Sequence, residues 1–164
     1  MCEKINLLKS LPQSSRPLDE RKLANDYDRK HHWKLGKKYF DGTRRQGYGG
    51  YINDGRWFKV AKDIIRYFKL KNKSKILEIG SAKGFLLNSF HKCNKSFELW
   101  GADISLYAIS KAENIKNSYH VVCNAKELPF DDDYFDLTIS INSLHNILSC
   151  LLYTSDAADD SLRV

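Results

Sequence analysis

Residues Lys75 to Phe85 read K-I-L-E-I-G-S-A-K-G-F, an apolar run that carries one acid and then sets small residues at every second position. Ile76, Leu77 and Ile79 suit a buried strand, and a helix is expected to open at Phe85. Gly80, Ala82 and Gly84 remove side chains at the turn between them, as a backbone must where it bends sharply or meets a ligand closely. Glu78 is the odd residue of the run, because an unpaired charge inside a strand is costly. A ligand ammonium group, met directly or through water, would account for it. The spacing E-x-G-x-A-x-G also departs from the G-x-G-x-x-G turn that seats a pyrophosphate on a helix N-terminus.

The surrounding pattern places this turn in an alternating array. Strands are expected at Lys75 to Ile79, Glu98 to Asp103, Tyr119 to Cys123 and Leu137 to Ile141, separated by helices at Phe85 to Phe90 and Leu106 to Ile115. Such alternation implies parallel pairing with right-handed crossovers. A preceding helix, N-capped by Asp54, would bury Trp57, Ala61, Ile64, Ile65 and Phe68 on one face. Asp103 follows Gly80 by 23 residues (103 − 80), about the separation of neighbouring parallel strands. Its carboxylate should therefore emerge beside the glycine turn, where it can accept from two adjacent hydroxyls; taken alone, the same Asp reads as a helix cap or loop residue. Asn124 reads on its own as a turn former.

Four ordered segments carry a family resemblance. Glu78 to Gly84 resemble motif I of the class I S-adenosylmethionine-dependent methyltransferases, with Ala82 replacing the usual middle glycine. Trp100-Gly101-Ala102-Asp103-Ile104-Ser105 resembles the second strand, ending in the acid that holds the ribose hydroxyls in that family. Cys123-Asn124-Ala125 with Leu128-Pro129-Phe130 resembles the adenine-contacting stretch, and Phe135 to Ser140 resembles strand four with its lead-in. The match spans roughly Tyr51 to Ile147.

The resemblance implies a Rossmann-like, doubly wound α/β sheet of order 3-2-1-4-5-7-6, with ligand at the carboxyl ends beside strand one. It implies S-adenosylmethionine as cofactor, contacted by Glu78, Gly80, Ser81, Ala82, Gly84, Asp103, Ile104, Asn124 and Ala125. The implied reaction is methyl transfer to an oxygen, nitrogen or carbon nucleophile of a small molecule. His145 is the candidate general base, since its unperturbed pKa lies near neutrality, and a surface histidine is the competing reading. Asn142 and Asn146 are candidates to orient substrate. Gly47-Tyr48-Gly49-Gly50-Tyr51 reads either as a surface loop or as a lid whose tyrosines, Tyr51 foremost, close on ligand. Ile141-Asn142-Ser143-Leu144 differs from the N-P-P-Y-like segment of enzymes that methylate exocyclic amines of bases or glutamine amides, which argues against those classes.

Composition narrows the alternatives. With 164 residues and 42% hydrophobic content the chain suffices for one core, and no apolar run is long enough to cross a bilayer. Met1-Cys2-Glu3-Lys4 leads into no signal-like apolar stretch, and cysteines at 2, 93, 123 and 150 form no C-x-x-C pair, which suits a reducing cytoplasm. The net charge of +7 is dispersed and reads as a solvated basic surface. An RNA methyltransferase and a non-catalytic S-adenosylmethionine-binding protein are the alternatives; the turn spacing disfavours an NAD-dependent oxidoreductase. The adjacent His31 and His32 make a poor chelate, and Asp131-Asp132-Asp133 lacks the ligand spacing of a calcium loop.

Residues 1–50 are expected to form a flexible or partly helical extension, Met1 to Lys22 being flexible, and 51–149 the methyltransferase-like part. The stretch C-L-L-Y-T-S-D-A-A-D-D from Cys150 resembles a translated transposase adapter, so 150–164 is expected to be a non-native tail that truncates the frame after strand four. Strand four would then be an exposed apolar edge and the fragment inactive and prone to aggregate.

Overall fold

A computed structural model describes residues 5–12 and 23–143, apart from the side chains at 32 and 33. Four strands, β1 (Lys75–Ile79), β2 (Glu98–Asp103), β3 (Ser118–Val122) and β4 (Leu137–Ser140), form one parallel sheet in the order β3-β2-β1-β4. The order reverses between β1 and β4, so the carboxyl end of β1 opens at the switch point where such sheets take ligands.

Register explains the core. Ile76 of β1 lies opposite Leu99 of β2 on one side and Leu137 of β4 on the other. These three pack against Val60, Ala61 and Ile64 of the helix α3 (Trp57–Phe68), and against Leu86, Leu87 and Phe90 of α4 (Phe85–Cys93). On the other face of the sheet Trp100 stacks on Tyr119 at 4.6 Å between ring centroids, and Phe130, Tyr134 and Phe135 meet it edge-on. Before the sheet come α1 (Asp26–Trp33) and α2 (Lys37–Asp41); α5 (Leu106–Ser110) links β2 to β3.

Several sequence expectations need correction. Asp54 does not cap α3; its carboxylate grips Arg56 through Nε and Nη2, and the helix starts at Trp57. On the helix face, Ala61 and Ile64 are buried together with Val60, and Trp57 and Ile65 pack partly buried against the core as expected, but Phe68 lies at the helix end and is 47% exposed. The helix after β2 stops at Ser110 instead of Ile115, because the chain turns so that Glu113 meets the side-chain amide of Asn88 on α4. Met1 to Lys22 is not loose throughout: Leu7, Leu8 and Leu11 pack on the core, and Ser10 donates to Asp63. Strand four is an edge of the described sheet as expected, but its apolar side chains are not bare: Leu137 is buried, and Ile139 and Ile141 pack partly buried against the core. The tail at 150–164 lies outside the described residues.

This packing predicts that Leu99→Ala lowers unfolding free energy by about 2–5 kcal/mol in urea titration. Phe68→Ser, at the position the corrected face leaves in solvent, should shift it by less than about 1 kcal/mol.

Candidate functional site

The turn leaving β1 is built from left-handed backbone. Gly80, Ala82 and Gly84 have φ of 76°, 49° and 71°, so three of five consecutive residues occupy a region that glycine enters freely and alanine only at some strain. At Gly80 space forbids a side chain as well: a Cβ would lie 2.2 Å from Cβ of Ser143. At Gly84 it would lie 2.8 Å from Cε1 of His120. Ser143 donates its hydroxyl to the carbonyl of Ile79 at 2.9 Å, which pins the segment after β4 against the turn.

Asp103, at the tip of β2, closes the other side. Its Oδ2 accepts from the amide of Ala82 at 2.7 Å and its Oδ1 from the amide of Ser105 at 2.8 Å. The carboxylate thus emerges beside the glycine turn, and a lone pair on each oxygen is left for a ligand hydroxyl. The helix cap that a lone Asp would supply comes instead from Ser105, whose hydroxyl accepts from the amide of Ala108. Burial raises the carboxyl pKa of Asp103, and the two amide donors partly offset that rise.

Glu78 lies in the middle of the sheet beside this acid. It is 8% exposed, and its Oε2 has no hydrogen-bond partner. Burial first, and then the neighbouring Asp103 charge, push its pKa well above the ordinary carboxylate range. Such an atom is unstable without a donor or a cation, and a ligand ammonium supplies both.

A roof of aromatic rings covers the turn. Tyr39 and Phe40 of α2 are buried against Ala82 and Ala108, with Tyr48, Tyr51 and Tyr107 packed around them. Tyr51 stacks on Phe85 at 4.7 Å. Burial, followed by the charge of Glu78 and the influence of Tyr48 and Asp103, drives the Tyr51 phenol upward, so it stays protonated beside the two acids. Lys83, from the turn itself, reaches Asp41 and donates to the carbonyl of Tyr51.

The structure therefore brings together Glu78, Gly80, Ser81, Ala82, Gly84, Asp103 and Tyr51. Ile104, next to Asp103, is 58% exposed at the same rim. Asn124 and Ala125 follow Cys123, whose amide bonds to the carbonyl of Asp103; the side chain of Asn124 folds back to accept from the amide of Lys126, as its turn-forming reading requires. Asn142 has φ of 55° and is exposed, and its neighbour Ser143 is what meets the turn. His145 and Asn146 lie outside the described residues. Sequence reasoning missed Asp41, Lys83 and Ser143, whose roles arise from contacts 32 to 66 residues away in the chain; only the place of Lys83 inside the turn was a signal.

The profile of the methyltransferase domain family matches residues 77–162, more than half of the 164. The chain belongs to this family, within the class I S-adenosylmethionine-dependent methyltransferases. Ribosomal RNA small subunit methyltransferase A of Wigglesworthia glossinidia brevipalpis is 37% identical over 65 residues, which is 39% of this chain and 25% of that protein. The SAM dependent methyltransferase from Aquifex aeolicus aligns at a TM-score of 0.48 and 15% identity, over 82% of this chain and 61% of that one. The plantazolicin methyltransferase BpumL in complex with SAH aligns at 0.48 and 23%, over 72% and 50%. The chain spans less than two thirds of each of these proteins. S-adenosylmethionine is the family's cofactor, and an unpartnered carboxylate beside an acid with free lone pairs fits its ammonium and ribose.

A raised folded-state pKa means that Glu78 favours folding when protonated. That contribution is full below the unfolded pKa of about 4.3 and is lost as pH rises through the raised value. Glu78→Gln should therefore stabilise the ligand-free protein by about 1–3 kcal/mol at pH 8 and by much less at pH 4.5, as read by thermal unfolding. An equal shift at both pH values would contradict this assignment.

Proposed function

We propose that this chain binds S-adenosylmethionine at the carboxyl ends of β1 and β2, and that the protein transfers the methyl group to an oxygen, nitrogen or carbon nucleophile of a small molecule. The observation that carries the reading is the buried Glu78 carboxylate with an unpartnered oxygen, set one strand away from Asp103 at a left-handed turn. Glu78 takes the ammonium of the methionyl group, and Asp103 takes the ribose hydroxyls. The main chain of Gly80, Ser81, Ala82 and Gly84 lets the ligand approach the turn; Ile104, Asn124 and Ala125 border the adenine. When bound, the cofactor supplies an electrophilic methyl on a sulfonium centre, so the protein's task is alignment, exclusion of water and removal of a proton from the acceptor. Tyr51 and its neighbouring rings form an apolar cover suited to the first two tasks. Asn142 is assigned to substrate orientation and His145 to the proton.

Two observations favour a second reading, in which RNA is the acceptor: a relative that is 37% identical over 65 residues is a ribosomal RNA methyltransferase, and the chain carries a net charge of +7. Steep weakening of RNA binding with salt would support it.

Calorimetry with S-adenosylmethionine should register binding, and NAD should give none. Asp103→Asn should weaken that binding by about 10-fold or more, since hydrogen bonds to a charged group are worth about 1.5–3 kcal/mol. No heat with the sulfonium nucleoside, together with heat from the pyridine coenzyme, would overturn the proposal.

A further inference from the structure

Lys83 occupies an unusual place. It belongs to the cofactor turn, yet its side chain is only 10% exposed and reaches into the roof. Its ammonium donates to Oδ1 of Asp41, at the end of α2, and to the carbonyl of Tyr51 at 2.9 Å. The other Asp41 oxygen accepts from the hydroxyl of Tyr107 on α5 at 2.6 Å. Within the roof, the amides of Tyr48 and Tyr51 bond to the carbonyls of Tyr39 and Phe40 at 2.8 Å, so residues 39–51 hold together as one piece. A single charged group therefore clamps both ends of that piece to the turn. The adjacent amide, that of Ala82, holds the Asp103 carboxylate.

We propose that Lys83 is a positioning residue that latches the 39–51 roof over the cofactor turn, so that bound S-adenosylmethionine leaves only after the Lys83–Asp41 pair opens. This rests on the cofactor reading given above. Lys83 is the buried member of the pair and Asp41 lies at the exposed rim, so removing the Lys83 ammonium leaves the Tyr51 carbonyl and the Asp41 carboxylate without that donor, a loss that acts mainly on dissociation. Burial works to raise the Asp41 carboxyl, but the hydrogen bonds from Lys83 and Tyr107 and the Lys83 charge outweigh it and hold the carboxyl below its usual range.

The test measures the dissociation rate of S-adenosylmethionine by stopped-flow displacement, with trypsin cleavage after Arg44 or Arg45, inside the roof, as a second readout that works without ligand. Lys83→Met should speed dissociation by about tenfold or more and, by loosening the roof backbone around the half-buried Arg44 and the exposed Arg45, raise the cleavage rate there above that of the wild type, while Lys83→Arg should keep both rates near the wild-type values. The double variant Lys83→Met with Asp41→Asn should be no faster than Lys83→Met alone. Tyr107→Phe deletes one hydroxyl at the rim and should produce a smaller change of the same sign, which keeps the test available if Lys83→Met does not fold. A merely stabilising ion pair predicts a lower unfolding midpoint with unchanged dissociation and cleavage, and that result would refute the latch. If the wild-type chain itself gives no binding heat, the cofactor reading fails and the latch falls with it; if it binds and the variants release ligand at the wild-type rate, only the latch fails.

Discussion

A carboxylate oxygen without a partner, inside the central strand of a parallel sheet, is the constraint around which this structure is arranged. Glu78 sits between β2 and β4, in register with Gly101 and Ile139, where neither neighbour offers a donor. Apolar packing alone would never select an acid at that position, because a buried unsatisfied charge works against the core around it. Its survival is understandable if the ligand-free state is not the state for which the site is shaped. Natural sequences break local consistency mainly at functional sites, and Glu78 is the clearest break in this chain.

The strand and turn pattern was readable because it rests on short-range chemistry. Bounds of β1 and β2 follow from apolar runs closed by glycine or Asp, and parallel pairing follows from alternation with helices, whereas the β3-β2-β1-β4 order was implied only by the family resemblance. Asp103 was legible for the same reason, since a crossover fixes where the next strand ends. Helix bounds were less legible. Leu106 to Ile115 has a helical period, but a tertiary contact between Glu113 and Asn88 ends the helix at Ser110. Asp54 carries the chemistry of a cap, yet a guanidinium two residues away competes for it and wins, holding its carboxyl pKa down to about 2 through paired hydrogen bonds.

The roof was legible only in part. Glycines around Tyr48 and Tyr51 hint at a segment that folds over something, but no local pattern states that Tyr51 lies on Phe85 or that Lys83 reaches Asp41 across 42 residues. Such contacts depend on the three-dimensional path of a segment with no sustained period. Ser143 is similar: its role comes from the absent side chain of Gly80, which lets the chain after β4 press against the turn.

The two sides of the turn are built differently, and this bears on how a ligand enters. Below, glycine positions are filled by fixed neighbours: the imidazole of His120 occupies the space that Gly84 and Gly101 leave open, and burial keeps that ring on the neutral side of its ordinary range. Above, the cover is a separate piece of chain joined to the turn by one ammonium group, one tyrosine hydroxyl, the Ser105–Leu35 hydrogen bond and ring contacts. Backbone strands thus fix the floor, whereas the roof is held by buried aromatic rings together with the Lys83 and Tyr107 hydrogen bonds. Under the proposed latch, access to Glu78 and Asp103 runs through residues 39–51, although the two carboxylates belong to the sheet.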